Sequence, residues 1–313
     1  MTTDLAKGRY LNMLKTAMGP EVMSYMEDDS VIEIMLNPDG RLWVDRLETG
    51  KEDTGRSILP EQSENIVKLV ASFKNQVADK DEPVVSTDIP FHGARFQGWL
   101  PPVVAQPTFA IRKKAIAIFT LEDYLTNNLI SKKHHALLSQ AVLDRKNIIV
   151  VGGTSTGKTT FTNALLSELD DVDERILVLE DLPELQLKAK DVVQLTTSLT
   201  VSMRDLVRGC LRMRPDRIII GEVRDGAALE LLKAWNTGHP GGLCTLHANG
   251  VESAAFRLED LIQEMVVTVP RNLILQAVDL FVCIERDKEG NRKVVSVSSL
   301  DGYEGGLYQL SEL

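Results

Sequence analysis

The chain has 313 residues, 43% hydrophobic and 26% charged, with a mean hydropathy of −0.07, which excludes a disordered or collagen-like polypeptide and allows two domains with separate cores. A net charge of −10 and a pI near 5.1 set the surface against nucleic-acid phosphates and anionic lipid headgroups, so direct nucleic-acid binding is expected to be weak or absent. Neither the first 118 residues nor the remainder holds an excess of Lys and Arg over Asp and Glu.

The N-terminal run MTTDLAKGRYLNMLK lacks the apolar core of a signal peptide, and no stretch approaches 18 uninterrupted apolar residues. The expectation is a cytoplasmic chain with no transmembrane segment. Three widely spaced cysteines, Cys210, Cys244 and Cys283, lie in apolar surroundings and predict buried, reduced thiols, with neither a disulfide framework nor a zinc site.

Residues 1–118 read as a smaller α+β domain. A helical pattern covers 9–26. Val31–Leu36 and Arg41–Val44 then flank Asn37-Pro38-Asp39-Gly40, a tight-turn sequence that predicts a hairpin. A helix is expected near 60–78, and the Gly- and Pro-broken segment after Pro90 predicts short strands and loops.

Residues 119–130 read as a linker. From 131 to 313, short apolar strands alternate with amphipathic helices, the pattern of a parallel α/β sheet. Strands are expected at 147–151, 175–180, 192–196, 217–220, 243–246 and 280–284, and helices at 134–145, 158–169, 202–213, 226–237 and 252–265. Ser202 with Asp205 predicts a capping box, Asp225 a cap for the next helix and Gly238 its end. The adjacent His134 and His135 point in different directions from a helix and predict no metal site.

The strand at 147–151 runs straight into Gly152-Gly153-Thr154-Ser155-Thr156-Gly157-Lys158-Thr159, followed by Thr160. This is a complete G-x-x-x-x-G-K-[ST] between a buried strand and a helix, the required setting for a loop whose backbone amides cradle phosphates. Lys158 is expected to reach the β and γ phosphates of ATP, and the Thr159 hydroxyl to ligate Mg²⁺.

Phosphoryl transfer to water also needs acidic groups at neighbouring strand ends. Arg217–Ile220 followed by Gly221-Glu222 ends an apolar strand in a carboxylate, and Ile176–Leu179 ends in the cluster Glu180, Asp181 and Glu184. For Asp181 or Glu184 taken alone, a solvated turn is the plainer explanation. With the glycine loop upstream, Glu222 is expected to be the base or water-orienting group, with Glu180 or Asp181 as alternatives; Glu180 or Glu222 could hold Mg²⁺ through water.

Thr237–Asn249 is a Gly-rich loop and short strand ending near His247, which is placed equally well as a rim residue or as a group facing the γ-phosphate. Arg95 and Arg112, the latter in the basic run Arg112-Lys113-Lys114, are read as a solvated strand edge or as charge-stabilising fingers.

In order and spacing, VVGGTSTGKTT, VLEDLPEL, LRMRPDRIIIGEVRD and TGHPGGLCTLHAN resemble the Walker A, Asp box, Walker B and His box of the secretion-ATPase superfamily, most closely the TrbB-type conjugal-transfer ATPases of type IV secretion. The resemblance is good over about residues 85–285. It implies a PAS-like N-terminal domain, a RecA-like P-loop NTPase C-terminal domain, and a homo-hexameric ring that hydrolyses ATP with Mg²⁺. It further implies a peripheral position at the cytoplasmic face of the inner membrane against type IV secretion channel proteins. It makes Arg95 and Arg112 phosphate-contacting residues and His247 a member of the site. Pilus-assembly and type II secretion ATPases are the related alternative, lowered by the lack of a four-cysteine module, and a RecA-like DNA-processing ATPase is the more distant one.

Overall fold

The structure, a computed structural model, describes residues 2–46, 49–91, 93–113, 119–198, 200–287 and 290–313. The chain divides into two compact units, Met1–Ile116 and Ala117–Leu313. The boundary expected at residue 118, and Lys114 of the basic run, lie outside the described residues.

In the first unit the elements are α1 (Thr2–Glu27), β1 (Val31–Leu36), β2 (Arg41–Arg46), β3 (Gly50–Ser57), α2 (Pro60–Phe73), β4 (Val84–Asp88), β5 (Arg95–Trp99) and β6 (Thr108–Arg112). Helix α1 is broken at Gly19, which adopts φ 75° ahead of Pro20, a residue without the N–H needed to continue the ladder. Leu14, Met18, Val22 and Met26, spaced by four, form its buried face.

The β1–β2 hairpin forms as predicted. Gly40 takes φ 81°, its N–H donates to Asn37 O at 2.9 Å, and Asp39 Oδ1 accepts from the Arg41 N–H. The helix expected near 60–78 ends at Phe73, because Asn75 turns the chain with φ 55°. The strands pair antiparallel in the order β3-β2-β1-β6-β5-β4, over a core that joins both helices to one face of the sheet.

The second unit contains α3 (Leu121–Thr126), α4 (Lys132–Leu143), β7 (Ile148–Gly152), α5 (Lys158–Leu166), β8 (Arg175–Glu180), β9 (Asp191–Thr196), α6 (Met203–Cys210), β10 (Arg217–Val223), α7 (Ala227–Asn236), β11 (Leu243–His247), α8 (Val251–Gln263), α9 (Arg271–Ala277), β12 (Leu280–Arg286), β13 (Arg292–Glu304) and β14 (Leu307–Glu312). Their sheet order is β14-β13-β12-β7-β11-β10-β8-β9. The six strands from β12 to β9 run parallel, and β13 and β14 extend the sheet antiparallel.

Strand β7 is buried throughout, with Ile149 and Val151 in the core on one face and Ile148 and Val150 in the core on the other. Within the span read as a linker, Thr120 and Asp123 form a capping box and start α3, whose Leu121 and Tyr124 are buried. The Ser202–Asp205 capping box is present, the Asp225 carboxylate accepts the Ala227 N–H at 2.8 Å, and Gly238 follows α7 with φ 102°. Cys210, Cys244 and Cys283 are all buried free thiols.

Candidate functional site

The glycine loop leaves the C-terminal end of β7 and enters α5. Two departures from ordinary backbone shape it: Ser155 at φ 59° and Gly157 at φ 91°. Gly152 is crowded, since a Cβ there would lie 2.5 Å from Ile284 O and 2.6 Å from Thr156 Oγ1. Thr156 Oγ1 donates to Gly153 O at 3.0 Å, and the Lys158 ammonium donates to Gly152 O and Gly153 O, both at 2.9 Å. Lysine and loop therefore form one unit whose amides and positive charge converge at the start of α5. Thr154 lies exposed at the loop and Thr160 in the first turn of the helix.

Glu180, at the end of β8, is only 3% exposed. Its Oε1 accepts the N–H groups of Glu184 and Leu185, each at 2.8 Å, so this carboxylate anchors the following turn. Gly221 on β10 makes room for it, as a Cβ at 221 would lie 3.0 Å from Glu180 Cγ. The anchored turn brings Glu184 back to α5, where Thr159 Oγ1 donates to Glu184 Oε2 at 3.3 Å. Asn163 fixes the same turn by accepting the Gln186 N–H at 2.9 Å. A hydroxyl and a carboxylate side by side are hard oxygen donors, the type Mg²⁺ takes.

Glu222 sits where the pairing of β10 with β11 shifts register between Ile220 and Val223. Such an irregularity re-aims a side chain at a sheet edge. Its Oε2 receives a hydrogen bond from Arg224 at 2.5 Å, and the same guanidinium lies 3.6 Å from Asp181 Oδ2. Asp181 also accepts from Thr197 Oγ1 at 3.1 Å. Neither Arg224, which ties the two acidic segments together, nor the Thr159 contact of Glu184 was anticipated from sequence; the recurrence of Glu four residues after Glu180 was the available signal.

His247 ends β11 in register with Gly152 and is exposed, which sets it at the same sheet edge as the glycine loop. At the opposite edge, Arg217 is buried and bonds Glu174, Val142 O and Gly241 O. That anchor fixes the Gly-rich turn from which β11 starts.

Arg95 and Arg112, both in the first unit, face each other directly across β5 and β6. Glu33 on β1 is in register with Arg112, and Asp88 on β4 with Arg95, so four charged residues form a row across the sheet. Burial pushes the Glu33 carboxyl up, and the Arg112 charge partly offsets it.

A parallel sheet with a glycine loop between its buried strand β7 and helix α5, and acidic residues on adjoining strand ends, makes this a RecA-like P-loop NTPase with a smaller α+β unit before it. The family model described as "Type II/IV secretion system protein" matches residues 88–287. Conjugal transfer protein TrbB of Rhizobium radiobacter is 42% identical over 311 residues, covering 99% of this chain and 96% of that protein. The chain belongs to the type II/IV secretion system protein family.

The type IV secretion system protein VirB11 of Bartonella quintana is 29% identical, covering 88% of this chain and 90% of that protein. Among solved structures, the VirB11 ATPase of the Brucella suis type IV secretion system, in complex with sulphate, has a TM-score of 0.51 at 25% identity and covers 94% of this chain and 96% of that one. The Legionella pneumophila ATPase DotB has a TM-score of 0.65 at 18% identity, covering 91% and 80%, a likeness of fold alone. Among the described residues no helix is long and apolar enough to cross a membrane.

Proposed function

We propose that the chain is an ATP-hydrolysing motor that works as a homo-hexameric ring and energises conjugative transfer through a type IV secretion apparatus. The observation that carries the reading is the meeting, at one sheet edge, of the Gly152–Thr160 loop with Glu184 and Glu222. The relatives' names supply the setting: conjugal transfer for TrbB, type IV secretion for VirB11. In this reading its partners are channel proteins at the cytoplasmic face of the inner membrane.

In this reading the amides of residues 153–160 and the N-terminus of α5 hold the phosphates of ATP, and the Lys158 ammonium moves from the loop carbonyls to β and γ oxygens. Thr159, with Glu184 beside it, would hold Mg²⁺, which when bound would neutralise charge on the phosphates. Glu180 keeps its place as the buried anchor of that turn. Glu222 orients water and accepts its proton as the water oxygen attacks the γ phosphorus and ADP leaves. Asp181, through Arg224, sets the position of Glu222.

His247 faces the γ-phosphate side, and Arg95 and Arg112 bring positive charge to the nucleotide from the same or a neighbouring subunit. The test is phosphate release by the purified protein and by Lys158→Ala, which is expected to be inactive. Hydrolysis at the wild-type rate in that variant would remove the site assignment. Light scattering with and without ATP checks for a hexamer, and lack of stimulation by single-stranded DNA separates the motor from a DNA-processing ATPase.

A further inference from the structure

The hairpin of β12 and β13 stands against the glycine loop, and nothing in the proposed hydrolysis uses it. Strand β12 pairs parallel with β7, Cys283 beside Val151, and then continues past the end of β7 to Arg286. Ile284 O comes so close to Gly152 that no Cβ fits there. The turn is closed by Asp287, whose N–H donates to Asn291 O at 2.8 Å and whose Oδ1 accepts the Asn291 N–H at 2.8 Å. A Lys293–Asp287 ion pair at 2.9 Å holds the returning strand.

This geometry delivers Arg292, the first residue of β13, to Gly157. A Cβ at residue 157 would lie 2.7 Å from Arg292 Cδ and 3.6 Å from its Cβ and Cγ. Gly157 is the left-handed residue immediately before Lys158, and its amide belongs to the set that holds phosphate in such loops. The half-buried arginine thus runs its apolar stem along the loop, with its charge one bond beyond the point of contact. Burial pushes the Tyr124 hydroxyl of α3 up, and the Arg292 charge is near enough to pull it partly back.

Arg292 lies directly across from Arg286 in the pairing of β12 with β13. Its side of the loop is the one bordered by β12 and β13. The acidic residues Glu184 and Glu222 belong to the other side, beyond β7 and β11.

From these contacts we infer that Arg292 is a nucleotide-contacting residue that binds the part of the nucleotide shared by ATP and ADP, the α and β phosphates with their ribose, on the side of the loop away from the γ-phosphate. The inference rests on the nucleotide-site reading above and adds to it a cation contributed by a segment 134 residues further along the chain than Lys158. Because the contact is to the shared part, it sets affinity for both nucleotides and leaves the chemical step alone.

The test uses the full chain and two substitutions. Arg292→Met keeps a stem against Gly157 and removes the charge, and Arg292→Lys keeps both stem and charge. Binding of a fluorescent ADP analogue and the KM and kcat for ATP are measured for each, with thermal melting of the unliganded proteins alongside. Arg292→Met is expected to remain folded, to bind ADP about tenfold more weakly and to raise KM by a similar factor with kcat unchanged, the size of one lost charge-assisted hydrogen bond. Arg292→Lys should keep most of the affinity.

Affinity within twofold of wild type in Arg292→Met, equal losses in Met and Lys, or a fall in kcat with ADP binding intact would each overturn the inference. Failure of the wild-type protein itself to bind ADP would instead overturn the nucleotide-site reading, so the two failures are distinguishable.

Discussion

Thr159 and Glu184, 25 residues apart in the chain, are joined by a hydrogen bond from Thr159 Oγ1 to Glu184 Oε2 at 3.3 Å. Glu184 owes this place to Glu180, which holds the intervening turn by two backbone N–H groups. Outer partners of a metal ligand tune affinity by about 10- to 100-fold. Glu184→Gln is therefore expected to raise the free Mg²⁺ needed for half-maximal hydrolysis by about tenfold or more, with kcat at saturating Mg²⁺ close to wild type. A Mg²⁺ titration of phosphate release decides this; an unchanged Mg²⁺ requirement with a large kcat loss would make Glu184 part of the chemistry instead.

Glu222 and Glu180 should separate cleanly on substitution. Glu222→Gln removes the group assigned to water and is expected to lower kcat by about 10²- to 10⁴-fold while ATP still binds. Glu180→Gln exchanges a buried acceptor of two amides for a weaker one, and its first effect should be a loss of about 1–3 kcal/mol in denaturant unfolding. Retained turnover in Glu222→Gln would move the base to Asp181 or Glu180.

Arg95 and Arg112 stand opposite each other across β5 and β6, and each has an acidic residue in register on its other side, Asp88 for Arg95 and Glu33 for Arg112. Replacing either by Ala takes a favourable charge from that acidic neighbour and should lower the thermal midpoint of the unliganded protein by no more than a few degrees. Turnover should fall by about 10²-fold or more if these side chains stabilise charge at the phosphates. Melting curves and steady-state hydrolysis on the same preparations test the two halves together, and a larger drop in midpoint with full activity would assign both arginines to the fold alone.

The buried pair of Arg217 and Glu174 gives a pH prediction. Burial pushes the Glu174 carboxyl up, but hydrogen bonds from Arg217 and Arg145 and their charges outweigh it and hold the group below its ordinary value. A carboxylate depressed in the folded state adds stability above its unfolded pKa of about 4.3, and that stability is lost as pH falls through the lower folded value. Glu174→Gln should cost about 3 kcal/mol at pH 7, since it strands the buried Arg217, and should flatten the decline in stability below about pH 4.3. Urea unfolding from pH 7 to pH 3 measures both.

Elements with strong local signals were legible in advance: the Pro-Asp-Gly hairpin, the wholly apolar strand β7, and the capping box of α6. Strand β3, with the sequence GKEDTGRS, has no apolar alternation and exists because β2 offers it an open edge. Strands β13 and β14 escaped because register shifts near Ile284 and Leu300 break the two-residue period along which a strand is recognised. Helix α3 is only six residues long and is held by its capping box and by the contact of Tyr124 with Phe161.

The residues 152–159 announced their chemistry unaided, because a phosphate loop is built from consecutive backbone amides and its requirements are written in adjacent letters. Which carboxylate meets Thr159, which arginine ties Glu222 to Asp181, and which cation lies on Gly157 were decided only when the sheet assembled in the order β12-β7-β11-β10-β8. No local period links residues so far apart; cooperative burial of both sheet faces sets the strand order, and the strand order sets these neighbours.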